Sequence, residues 1–363
     1  MNAAAPGVSR RALFTRLFAE TSETEPTTGL QPVEAVRRHG DGVLWASLAL
    51  ADDDIFVAGD DGLLLHFNGE HWSPEPFPSR LPIHSLCHCG DRIYSVGWLG
   101  EICERVAGQW QHVQGGQGEP ATVNLPLFDI ARDAQGHLWA VGDQGRVVEF
   151  DGCDWLEHSC GSDSNLRSVL PMQDGRILVA GNGGCALLYS EGNWRALTTD
   201  TGCPIVSMAA LEDGSVIAVG GEYSIDDGGF RGRLFRFSDE DWQLIEPEQP
   251  LPRLRRVRRT ASSLLICGDD GTAFRWTADG VKRLPCRLRY DLHDIACLED
   301  GSALLCGDGG TVLREAAIDP LAQDAGQQDS RAWQQLSQGE TNRTLRHIWP
   351  VGDDSLIAAG DGG

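Results

Sequence analysis

Short apolar runs alternate with clusters of turn residues along most of this chain. Between Asn165 and Leu197, LRSVL and RILVAG are parted by Gln173-Asp174-Gly175, CALLYS follows Gly181-Asn182-Gly183-Gly184, and Glu191-Gly192 leads into NWRAL. Each run has strand length and is bounded by residues that accept positive φ, so the segment predicts four antiparallel strands, here A to D. No long run of helix-period apolar residues competes with this reading.

The unit repeats. A glycine closes strand B at positions 59, 97, 142, 181, 220, 268, 307 and 360, at intervals of 38, 45, 39, 39, 48, 39 and 53 residues. A period near 40 with four strands per unit is what a β-propeller needs. Thirteen residues after four of these glycines stands a tryptophan (Trp72, Trp110, Trp155, Trp194), and Trp242 and Trp333 follow later units after insertions. Indoles recurring at the start of strand D are expected to fill the seams between blades. The expected fold is therefore all-β: a propeller of four-stranded antiparallel blades, eight with the last one composite, or alternatively seven.

The chain divides, on this reading, into residues 1–29 and a propeller over 30–363. Within the first part, Ser9–Glu20 reads as a short helix with Leu13, Phe14, Leu17 and Phe18 on one face, and TSETEPTTG as a flexible tether. The apolar face needs a surface, in order of preference the propeller, a partner protein or a membrane interface. A ring must close or leave a sheet edge open, and residues 30–40 (through PVEAVRR) are expected to complete the last blade beside 340–363. Strand C of that blade has no obvious donor.

Composition narrows the partners. A formal net charge of −23 disfavours nucleic acid and anionic membranes and favours proteins, with a small anionic ligand as second candidate. Eleven cysteines, an odd number lying mostly inside strand runs, read as reduced thiols in a cytoplasm. Ser9-Arg10-Arg11 resembles the start of a twin-arginine signal, but no apolar h-region follows, and no stretch is long and apolar enough to insert in a bilayer. A cytoplasmic, bacterial protein is expected.

Aligned strands A give WASL, IHSL, LFDI, LRSV, IVSM, LRRV, LHDI and LRHI, whose second positions are Ala46, His84, Phe128, Arg167, Val206, Arg255, His293 and Arg346. Five of the eight would point Arg or His to one rim of the channel. One reading is an anion or acidic-peptide site in which Arg167, Arg255 and Arg346 are fixed donors and the histidines titrate near neutral pH. The other is that these cations pair with aspartates of GDxG turns on the same face, such as Asp60, Asp143, Asp269, Asp308 and Asp361. Arg256 belongs to a dense run, Arg253 to Arg259, that reads as a docking patch or as cations matched by neighbouring carboxylates. His84, Cys87, His88 and Cys89 cannot all face one tetrahedral centre on a regular strand, so no metal is expected. No GxSxG, P-loop or HExxH motif is present.

VAGDDGLLLHFNGEHW, VGDQGRVVEFDGCDW and VAGNGGCALLYSEGNW resemble the VGxxGxIxxxxDGxxW repeat of propellers related to the photosystem II assembly factor and, more distantly, BNR repeats. The likeness spans about seven units. It implies non-catalytic assembly aids; the lumenal or periplasmic role is not carried over, and neither is sialidase activity, since SxDxGxTW is absent. The expectation is a protein-binding scaffold without cofactor or catalytic residue: an assembly chaperone, adaptor or toxin-neutralising protein. A hydrolase or lyase acting on an anion at the channel mouth is the alternative, and a structural subunit docking through its N-terminus a third reading.

Overall fold

Alternating short strands and tight turns cannot bury an apolar face alone; they do so by stacking sheets around an axis. A computed structural model describes residues 13–18, 31–32, 42–113, 124–315, 333–336 and 343–361, with short stretches inside some of these spans left aside. Seven blades are each built from four consecutive strands in the order A-B-C-D. In blade four these are Leu166–Pro171, Ile177–Gly181, Ala186–Ser190 and Asn193–Leu197.

A further four-stranded sheet is composite. Leu345–Val351 and Ser355–Gly360 supply its strands A and B, Leu13–Phe18 is strand C, and Gln31–Pro32 is the outermost strand. Leu13 to Phe18 pair in register with Gly360 to Ser355. The helix expected over Ser9–Glu20 is thus corrected: its central residues are a strand, and they are the missing strand C. An isolated helix of three turns is marginal in water, whereas the open edge of Ser355–Gly360 satisfies backbone donors and acceptors along the whole segment. The tether over 21–29, and 33–40 of the segment expected to close the ring, lie outside the described residues.

Eight apolar clusters fill the seams, each formed by strands of two adjacent sheets. The recurring tryptophans sit there, Trp110 between blades one and two, Trp155 between two and three, and Trp242 between four and five. Replacing a buried indole of this kind by alanine typically costs about 3–5 kcal/mol. The glycine ending strand B is demanded by contact. A Cβ at Gly181 would lie 2.0 Å from the carbonyl oxygen of Asn165 on strand A's approach.

Every strand A carries a β-bulge directly after its first residue. In blade one the residue paired with Gly59 is Leu44, which makes Trp45 the bulged residue. The WASL alignment is therefore one residue out: Ala46 belongs to the third position, not the second.

Candidate functional site

The bulge turns each second-position side chain out of the ladder toward one face. That face also carries the B–C turns and D–A links, because the start of strand A pairs with the end of B, and the start of C with the end of D. Around the channel mouth stand Trp45, His84, Phe128, Arg167, Val206, Arg255, His293 and Arg346.

Three of the expected cations are matched locally by aspartates. Arg255 pairs with Asp269 and, at 2.7 Å, with Asp291. His293 Nε2 lies 2.8 Å from Asp308, and Arg346 holds Asp361 through Nε and Nη2 at 2.6 and 2.9 Å. For these residues the pairing reading describes the geometry. Burial pulls His84 and His293 below the usual imidazole value, against the Leu127 carbonyl and Asp308 that they face.

His84 and Arg167 come together instead. His84 Nδ1 donates to the Leu127 carbonyl at 2.8 Å, and its ring lies between Trp98, edge-on at 6.1 Å, and Phe128, stacked at 5.6 Å. Phe128 carries the Arg167 guanidinium over its other neighbour side, 4.3 Å from the ring centroid. Blade four has Asn182 where five of the other seven sheets have aspartate, and Arg167 Nε donates to that amide at 3.2 Å. Arg167 makes no ion pair among the described residues, so this strip across blades two to four ends on a guanidinium with hydrogen-bonding capacity to spare.

Below the rim, third positions of strand A line a channel cavity of about 880 Å³. Those that line it are Ala46, Ser85, Asp129, Ser168, Ser207, Arg256 and His347, while Asp294, the third-position residue of blade seven, is buried behind them; the position is polar in every sheet but the first. Several act as clasps between blades. Asp129 accepts from the Val169 amide at 3.0 Å and the Ser85 hydroxyl at 3.2 Å. Ser207 Oγ accepts from the Val257 amide at 3.2 Å, and Asp294 from that of Ile348 at 3.2 Å. Asp294, fully buried, also takes both arms of Arg258 at 2.9 Å, with Arg256 Nε 3.6 Å away. Burial alone would raise the Asp294 carboxyl, but the two guanidiniums hold it below the ordinary range. Asp129 lacks so close a cation, and burial lifts it to about 6. Arg256 thus faces the channel, partly neutralised.

Of the third-position column, sequence reasoning singled out Arg256 alone as a candidate site residue. It missed an apolar rim. Eight of the eleven large apolar side chains exposed among the described residues belong to this face. Trp45 and Val206 occupy bulges, Trp98 and Leu99 a B–C turn, and Tyr290 a D–A link. Tyr223, Ile225 and Phe230 crown the extended B–C hairpin of blade five, where Arg253 lies 4.5 Å over the Phe230 ring. Leu99 is held at φ 56°, a left-handed conformation that costs a leucine about 1–2 kcal/mol.

The four His and Cys residues of strand A in blade two lie apart. His84 is at the rim, His88 is exposed, and Cys87 and Cys89 pack in the seam with blade three. Among the described residues no helix is long and apolar enough to cross a membrane.

No known family matches the sequence, and no curated protein is similar to it. Solved structures are similar in fold. YCF48 bound to a D1 peptide superposes with a TM-score of 0.57 at 14% identity, over 83% of this chain and 96% of that one. The C-terminal WD40 domain of Sif2 gives 0.60 at 12% over 89% and 97%, and Chaetomium thermophilum Sqt1 gives 0.63 at 12% over 88% and 93%. At such identity the likeness establishes the fold alone: the chain is a β-propeller.

Proposed function

We propose that this protein is a non-catalytic protein-binding scaffold, of the assembly-chaperone, adaptor or toxin-neutralising kind. It takes an extended partner segment, apolar with an acidic group, across the channel mouth. The observation that carries this reading is the concentration of exposed aromatic and aliphatic side chains on the face that also carries the guanidinium of Arg167. Exposed apolar side chains gathered on one face mark interaction sites, and aromatic and arginine side chains dominate binding energy at such sites. The strained Leu99, where blades four and seven place Gly183 and Gly309, fits a side chain kept for contact. A propeller of similar fold binds a peptide.

The second reading, turnover of an anionic small molecule, has one observation in its favour, the raised Asp129 carboxyl in a polar cavity beside Arg256. Against it, the oxygens of Asp129 are engaged by backbone amides and Ser85.

Affinity capture from the native lysate with wild type and with Trp98→Ala/Arg167→Ala, followed by equilibrium binding of the captured protein, tests the scaffold. We expect a specific partner whose affinity falls at least about 100-fold in the folded double variant, two anchors of roughly 1–2 kcal/mol or more each. Equal capture by both proteins would sink the proposal.

A further inference from the structure

A separate cluster lies at the start of strand C and the end of strand D in blade two. Period-two alternation puts Glu101 and Cys103 on one side of Ile102–Val106 and its entry, and the register of the C–D hairpin sets His112 directly opposite Cys103. The result is a carboxylate, a thiol and an imidazole whose ligand atoms all lie within 4.8 Å of one another.

The spacings are those of a tetrahedral face. Zinc–sulfur, zinc–nitrogen and zinc–oxygen bonds of about 2.3, 2.0 and 2.0 Å at tetrahedral angles require S···N and N···O edges of about 3.5 and 3.3 Å. Cys103 Sγ to His112 Nδ1 is 3.6 Å, and His112 Nδ1 to Glu101 Oε1 is 3.4 Å. The other oxygen of Glu101 accepts from the Ser79 hydroxyl at 2.6 Å, an outer contact that fixes the carboxylate's orientation. Cys103 is fully buried, Glu101 half-buried and His112 more than half exposed, which gives a closed floor and an open entrance.

We propose that Glu101, Cys103 and His112 form a binding site for one divalent zinc-class cation, with the fourth position open to water or to a partner's side chain. Carboxylate, thiolate and imidazole together select a borderline metal over calcium or magnesium, which prefer oxygen alone. On binding, the Cys103 thiol proton leaves to solvent and the sulfur–metal bond forms. Glu101 and the thiolate then carry two negative charges against the ion's two positive ones. Binding is thereby coupled to the loss of one proton. The proposal is independent of the channel-mouth reading.

The test uses the untagged full chain, stripped with chelator and titrated with Co²⁺, which reports thiolate ligation by a charge-transfer band and tetrahedral geometry by its visible spectrum. We expect one equivalent to bind with both signatures and to be displaced by Zn²⁺. Because Cys103 is buried, the decisive variants are the exposed His112→Ala and the half-buried Glu101→Gln, each checked for native circular dichroism. His112→Ala should lose at least about 100-fold in affinity, the upper end of what even an outer-shell partner contributes. Absence of a thiolate band in the folded wild type, or an unchanged band in folded His112→Ala, would overturn the site.

Discussion

His347 shows how strongly a single position is governed by its surroundings. Its side chain is 3% exposed at the channel wall, Nδ1 shares a hydrogen bond with Ser47 at 3.1 Å, and Nε2 has no partner among the described residues. Burial holds the imidazole at about 3 against an ordinary 6.5; Asp294 pulls the other way, and Arg256 and Arg258 reinforce the burial. A group whose folded value is depressed contributes stability that is present above 6.5 and is lost as pH falls toward 3. Wild type should therefore lose about 1.4 kcal/mol from this site alone between neutrality and about pH 5.5. Urea unfolding of wild type and His347→Gln at both pH values measures it; equal losses in the two proteins would mean that His347 is not held neutral. Asp129 acts in the opposite sense, favouring the fold at acid pH and losing that contribution as pH rises through about 6.

Among the elements, the junction of strands A and B is the most constrained. The glycine that ends strand B recurs in the sequence because the adjoining carbonyl leaves no room for a Cβ, as at Gly59, Gly142 and Gly360, each with an oxygen 2.0 Å away. The blocking atom is backbone and cannot swing aside. Gly181→Ala should destabilise the protein by about 3 kcal/mol, the upper range for forced overpacking, with chemical denaturation as the readout. A near-neutral result would show that the bulge can shift. The bulge was not legible: alternation of apolar residues reads the same with or without one extra residue, and in blade one this put Ala46 where Trp45 stands.

For the molecule as a whole, closure depends on residues far apart in sequence. Leu13–Phe18 pairs along the full length of Ser355–Gly360 and joins the first part of the chain to the last. Removing residues 1–18 should expose that edge, lower the melting temperature by several degrees and promote self-association, as followed by calorimetry and size-exclusion chromatography. An unchanged, monomeric melt would show that the strand contributes no closure. The same distance rule explains why the rim was only half legible. The pairing of Arg255, His293 and Arg346 with turn aspartates 14 or 15 residues away could be read as one of two alternatives, whereas the second partner of Arg255, Asp291, and the stacking of Arg167 on Phe128 come from neighbouring blades that only the folded face brings within reach.

By itself the sequence determined the repeat, the four strands of each unit, the place of the tryptophans and the absence of a helical core, because period, turn chemistry and residue size are local properties. Tertiary structure decided how the cations are paired: the Arg346 guanidinium meets Asp361 across its turn, whereas Arg167 meets the amide of Asn182 there and lies over Phe128. It decided that Leu13–Phe18 is a strand, because a free sheet edge outweighs a weak helical preference. It also assembled the two sites. The channel mouth collects one residue per blade from around the ring, and Glu101, Cys103 and His112 meet only when the C–D hairpin of blade two takes its register.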